Sequence, residues 1–158
     1  MTNMLIINGG TAIPVSNVRR IRPVTDDDRA RITKHTDYVE DAAKFNTQIQ
    51  FADRSQKLAT DTVEQIRAQG IPLVNLGNET YVPAANIKLA QAFTEQDAAN
   101  AKARNVTLSE TFRSRVDTVA GQVLSSMEPI DVINAREKAL AIAAGANRKT
   151  GAPKPAVA

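Results

Sequence analysis

Apolar residues come in short runs up to Phe93 and at helical spacing after it. Met4-Leu-Ile-Ile7 reads as a strand, and Asn8-Gly9-Gly10 as a turn, because Asn and Gly tolerate positive φ. Thr11 to Pro14 returns as a second strand, short or at an edge, since Pro14 cannot donate to a ladder. Ser16-Asn17 makes a corner, Val18 to Val24 a third strand, and Thr25-Asp-Asp-Asp28 the start of a short polar helix through about His35. Thr36 to Phe45 carries no clear period. Thr47-Gln-Ile-Gln-Phe51 alternates as a half-buried strand does, Asp53-Arg54-Ser55 turns it, and Gln56 to Ala59 pairs back. Thr60 is the expected cap of a helix over Asp61 to Gln69, with Gly70 as its stop. Strands then follow at Ile71–Leu76, Thr80–Val82 and Ile87–Phe93.

Beyond Thr94 the period changes. Thr107-Leu-Ser-Glu110 fits a capping box. Leu108, Phe112, Val116, Val119, Val123 and Met127 follow at spacings of 4, 4, 3, 4 and 4, which predicts an amphipathic helix whose apolar stripe packs on a neighbour or on the sheet. Phe112, Val116, Val119 and Val123 are therefore the candidate partner interface. Pro129 is expected to stop this helix, Asp131 to cap a second through about Ala144, and Gly145 to end it. The tail 148–158, rich in Pro and Ala, is expected to be extended.

One segment occurs twice. Thr11-Ala-Ile-Pro-Val-Ser-Asn-Val-Arg19 matches Thr80-Tyr-Val-Pro-Ala-Ala-Asn-Ile-Lys88 without a gap. Extended to Asp28 and Asp97, the match spans 18 positions with 5 identities, where chance gives about one, so a supersecondary unit is repeated. Each position serves the backbone: Thr and Ile/Val extend a strand, Pro ends it, Asn turns it, and Val/Ile re-enters the core. The flanks differ, Arg19-Arg20-Ile21-Arg22 against Lys88-Leu89-Ala90-Gln91. The second copy is preceded by a strand–turn–strand–helix unit and the first is not, which makes Met4 to Val24 the expected meeting place with another subunit. The fold class is α+β: a small, mostly antiparallel β-domain of two related hairpin units over 1–97, a helical arm over 98–147, and the tail.

Composition narrows the chemistry. The 158 residues include no Cys and no Trp, so thiolate catalysis, disulfides and Cys-ligated zinc are excluded. No segment approaches the roughly 18 apolar residues of a membrane span. His35 is the single histidine and sits in a polar stretch, without a nucleophile or metal ligands in pattern around it. Asp26-Asp27-Asp28 lacks the spaced ligands and central Gly of a calcium loop. No catalytic residue, cofactor or metal site is nominated. Charge is uneven: residues 1–24 carry three Arg and no acid, 25–97 carry 8 basic and 12 acidic side chains, and 98–158 carry 9 basic and 5 acidic. Basic ends around an acidic middle suit self-association or an acidic partner. Arg19, Arg20 and Arg22 on the third strand, with Arg148 and Lys149 on the tail, are the candidate contacts to phosphates or to an acidic partner.

The order Ile49-Gln-Phe, Asp53-Arg-Ser, Thr62-Val-Glu-Gln-Ile66, Leu73-Val-Asn-Leu, Tyr81-Val82, Asn86-Ile87 resembles the LytTR-type DNA-binding domain of bacterial regulators, and more loosely the small RemA-type matrix regulators. The resemblance covers residues 47–93 and implies a β-rich fold that binds DNA. Its departure lies at Gly77-Asn-Glu-Thr80, where an acid stands in place of a basic turn. The expected function is that of a non-enzymatic structural subunit of a large assembly, best fitted by a bacteriophage virion (head, neck or tail), with other copies of itself and neighbouring subunits as partners. The alternative is a LytTR/RemA-like DNA-binding regulator in the bacterial cytoplasm.

Overall fold

The fold repeats one sequence of elements twice. In the computed structural model, which describes residues 3–35, 43–106, 108 and 111–150, the first set is β1 (Met4–Ile7), β2 (Thr11–Pro14), a 3-10 corner (Val15–Asn17), β3 (Val18–Pro23), α1 (Asp26–His35), β4 (Thr47–Phe51), β5 (Gln56–Ala59) and α2 (Val63–Arg67). The second is β6 (Leu73–Asn75), β7 (Tyr81–Pro83), a 3-10 corner (Ala84–Asn86), β8 (Ile87–Ala92), α3 (Glu95–Ala103), β9 (Ser114–Thr118), β10 (Gly121–Ser125) and α4 (Pro129–Thr150). All strand pairs are antiparallel. The architecture is the α+β class expected from the sequence.

The correspondence reaches individual bonds. Leu5 faces Ile13 as Val74 faces Val82. Both third strands carry a register shift at the same step, between Val18 and Arg20 and between Ile87 and Leu89. Thr25 and Asp28 close a capping box, Asp28 N–H to Thr25 Oγ1 at 3.1 Å and Thr25 N–H to Asp28 Oδ2 at 3.0 Å. Thr94 and Asp97 close its twin at 3.1 and 2.8 Å, so each α1/α3 start satisfies two otherwise free donors. The Asn17 carbonyl accepts from Ala52 N–H at 3.0 Å and the Asn86 carbonyl from Val119 N–H at 2.9 Å. Buried Thr47 donates its hydroxyl to the Asp61 carbonyl, and buried Ser114 donates to the Met127 carbonyl. Repeat 1 thus runs from β1 to α2 and repeat 2 from β6 to α4.

Each repeat has its own core. Leu5, Ile7, Ile13, Val15, Val18, Ile21, Ile49 and Ile66 cluster in the first; Val74, Leu76, Val82, Ala84, Ile87, Val116 and Val132 cluster in the second, at matching places. Burying each Val, Leu or Ile side chain among these contributes about 1.5–3 kcal/mol, set against chain entropy of comparable total. Ile71 and Leu73, at the entry to repeat 2, pack into the first core.

The repeats join edge to edge. Sheet order β5-β4-β3-β7-β6 places β7 of repeat 2 beside β3 of repeat 1, with Ile21 opposite Tyr81. The buried Asn86 side chain donates to the carbonyls of Val15 at 2.9 Å and Val18 at 3.0 Å. Two further strand groups stand apart, β1-β2 and β10-β9-β8.

Several expectations are corrected. Residues 114–125 form the hairpin β9–β10 where a helix was expected, so the arm over 98–147 holds two helices with a hairpin between them. Val116 pairs with Val123 across the strands, so a seven-residue interval that reads as two helical turns is a cross-strand neighbour. The period-2 burial of Ser114, Val116 and Thr118 decides it. Pro129 opens α4 rather than ending a helix, because proline's fixed φ suits the first helical position, where its missing donor costs nothing. Asp131 lies in that first turn. Gly145 is an ordinary helical residue, and the helix reaches Thr150, so residues 148–150 are not extended. The cap of α2 is Thr62, not Thr60, in a full capping box with Gln65. The capping box expected over Thr107–Glu110 and the tail 151–158 lie outside the described residues.

Candidate functional site

The bulge in β3 sets the disposition of its arginines. Ile21 points into the core, while Arg20 and Arg22 share the opposite face with Gln48 and Gln50 of β4 and Gln56 and Leu58 of β5. Residues Thr25, Asp27, Asp28 and Arg31 of the α1 start border the same face, and together they line a groove of about 670 Å³. Burial lowers the pKa of Arg20, and the like charges of Arg19 and Arg22 lower it further. Arg20 and Arg22 form no ion pair among the described residues. Arg31 pairs with Asp28 instead. Burial by itself would raise the Asp28 carboxyl, but the Thr25 bonds and Arg31 outweigh it and hold it below the usual carboxylate range.

Arg19 has a different role. Its Nε donates to the Gln122 carbonyl at 3.0 Å and its Nη1 to Gln50 Oε1 at 2.6 Å, which ties β3 of repeat 1 to β10 of repeat 2. Burial lowers its pKa first, then the nearby Arg54. The sequence groups three arginines; the structure separates one that holds the repeats together from two that face the groove.

The equivalent face of repeat 2 pairs its charges internally, although the buried Arg115 Nε has no partner among the described residues. Arg115 lies 3.7 Å from Asp97 and donates to Gln91 Oε1 at 3.1 Å, and Gln91 donates to Asp117 Oδ2 at 3.3 Å. Leu89 and Gln91 stand where repeat 1 has Arg20 and Arg22. The cationic groove is therefore particular to repeat 1.

The candidate interface Phe112, Val116, Val119 and Val123 is dispersed. Val116 and Val123 are core residues of the second repeat. Phe112 meets Phe93 edge to face with centroids 6.1 Å apart. Only Val119, at the hairpin tip, is exposed. Those four side chains do not form one surface. The backbone of Arg148 and Lys149 is in α4, not in a free tail, and their side chains lie outside the described ones.

Sequence reasoning missed an open apolar cleft of about 720 Å³ between repeats 1 and 2, lined by Arg67, Pro72, Leu73, Ala139 and Ile142 among others. Its wall on α4 runs from Ala135 to Ala143, inside the expected helix; what the sequence does not carry is the packing of that helix beside the end of α2 and the start of β6. Among the described residues no group of three or more acidic or histidine side chains is placed to hold a metal, and no helix is long and apolar enough to cross a membrane. Compared with protein-family models, curated proteins and solved structures, the chain matches none.

Proposed function

We propose that this chain is a non-enzymatic structural subunit of a larger protein assembly, with a bacteriophage particle as the setting it suits best. The observation that carries this reading is the seam between its own repeats. Repeat 2 docks on repeat 1 through an edge strand and side-chain bonds to backbone carbonyls, with two cores that are separate except where Ile71 and Leu73 reach into the first. A fold that joins units in this way within one chain has the means to join them between chains. Light scattering and sedimentation across a concentration series test it. The expected result is a mass above that of one chain, rising with concentration; a single-chain mass throughout overturns self-assembly.

A second reading, a DNA-binding regulator of the LytTR/RemA-like kind, draws on the groove with Arg20 and Arg22. Two cations without carboxylate partners among the described residues can pair with phosphates, and each phosphate contact adds a salt-dependent term to affinity. Duplex affinity measured across salt, with and without Arg20→Ala/Arg22→Ala, separates the two. A shallower slope in the variant supports this reading; an unchanged slope removes it from the groove.

A further inference from the structure

The seam between the repeats has an unused twin. Besides the Gln122 carbonyl that takes Arg19, repeat 2 brings three parts to the seam: the outer edge of β7, the Asn86 side chain, and Leu73, which is 5% exposed in the first core. Repeat 1 carries all three parts on its own leading face. The outer edge of β2 is unpaired among the described strands. Asn17 stands at the place of Asn86 in an identical 3-10 corner. Met4 stands at the place of Leu73 and is 46% exposed.

Asn17 is the telling residue. The Asn86 side chain bonds across the seam, to the carbonyls of the other repeat, and not within its own corner. The corner itself forms in repeat 1 with an exposed Asn17 whose side chain bonds to nothing among the described residues. The same amide is thus present where the described residues offer it no partner.

The complementary surface is the trailing face of repeat 2, where the carbonyls of Ala84 and Ile87 and the outer edge of β8 match Val15, Val18 and β3. There the Ile87 carbonyl accepts from Arg136 Nε at 3.0 Å, the bond that the Val18 carbonyl receives from Asn86. α4 packs along the second corner and β8. α4 also packs on β6, so the part of it shown to hold the trailing face is Arg136, at the Ile87 carbonyl that a third repeat's corner would use. Arg136 occupies the step at which Gly70 ends the first repeat's helical turn.

We propose that the leading face of repeat 1 docks on the trailing face of repeat 2 of a second copy, as β7 docks on β3, with the Arg136 side chain as the displaceable occupant of the Ile87 carbonyl. Chains then join head to tail, an arrangement that closes into a ring or extends as a filament. This deepens the assembly reading and rests on it. The seam uses few residues, and Arg136 competes for one of its carbonyls, so association is weak until Arg136 yields.

The absence of cysteine makes the register testable in the full chain. Ile21 opposite Tyr81 translates, repeat to repeat, into Ala90 of one copy opposite Ala12 of the next. Directly paired antiparallel residues have Cα atoms about 4.5–5.5 Å apart, within disulfide reach. Ala12→Cys and Ala90→Cys chains, mixed in equal amounts and oxidised mildly, are expected to give the mixed dimer as the main product, and the double variant a ladder. Adding Arg136→Gly is expected to raise the yield roughly tenfold by removing the occupant; adding Asn17→Ala is expected to lower it. A dominant Ala12→Cys self-dimer, which would mean a two-fold contact, or no product above the single-variant controls, overturns the proposal. Light scattering on the same samples separates the two levels. Mass above one chain without the mixed disulfide removes this face and leaves the assembly reading, whereas a single-chain mass removes both.

Discussion

Gly70 and Arg136 stand four residues after Ile66 and Val132, the fully buried anchors of the two equivalent helical turns. Gly70 takes φ of +87° and sends the chain into β6; Arg136 keeps helical geometry and bonds the Ile87 carbonyl. The difference between a short turn and a 22-residue helix begins at this step. Gly70→Ala is expected to cost about 1 kcal/mol, because a Cβ disfavours the left-handed region, measured as a lower urea midpoint with unchanged slope.

Asn86 and Asn17 are expected to differ sharply. Asn86→Ala removes two buried bonds and leaves the Val15 and Val18 carbonyls without that donor, a loss of about 2–3 kcal/mol. Asn17→Ala at the same corner of repeat 1 is expected to stay within about 0.5 kcal/mol for the isolated chain. Equal effects in chemical denaturation would mean that the seam bond does not hold the repeats together.

The hairpin makes its own prediction about Val116 and Val119. Val116 is fully buried and Val119 is 50% exposed. Val116→Ala is expected to cost roughly 2 kcal/mol through the cavity it leaves, and Val119→Ala close to nothing. A continuous helical stripe would penalise both alike, so the pair distinguishes the two structures by thermal denaturation.

Much of the repeat was legible from residues 11–28 and 80–97, because the proline-ended strand, the asparagine corner and the Thr-x-x-Asp box are local devices with fixed chemistry. The rest was hidden by a change of spacing. Phe45 and Phe112, Gln56 and Gln122, and Leu58 and Leu124 are identical partners in the two repeats. The connections before them differ in length, and the β4–β5 turn of four residues corresponds to a two-residue link between β9 and β10, so no ungapped offset aligns them. The valines of β9 and β10 suit a pleated sheet, but their spacing matches helical and cross-strand neighbours equally. The two roles among Arg19, Arg20 and Arg22 were beyond the sequence, since the Gln122 carbonyl that engages Arg19 is brought there by the other repeat.

Asp28 and Asp97 give the acid response a direction. At Asp97 the Thr94 backbone bond, then the Thr94 hydroxyl and Arg115, outweigh burial and hold the carboxyl below its ordinary value; Asp28 is held low likewise. A carboxyl lowered in the folded state contributes stability above the unfolded value of about 3.9, and that contribution is lost as pH falls through the folded value. Stability is expected to be flat with respect to these groups from neutral pH to about 4 and to fall below it. Asp28→Asn/Asp97→Asn keeps an acceptor at each cap and is expected to lower stability slightly at neutral pH and flatten the acid limb. An unchanged acid limb, followed by circular dichroism, would assign acid sensitivity to other carboxyls.

The location of Ile71 and Leu73 has a consequence for the order in which the molecule is made. Every strand partner of the first repeat except β7 lies upstream of Arg67, but its core is sealed by these two side chains from the entry to the second. During synthesis the first half can condense as soon as Leu73 has cleared the ribosome, and it then presents β3 as a ready edge on which the emerging β7 is received. The earlier half is thus a template for the later one, and a slow or misregistered β3 would be passed on to the rest of the chain.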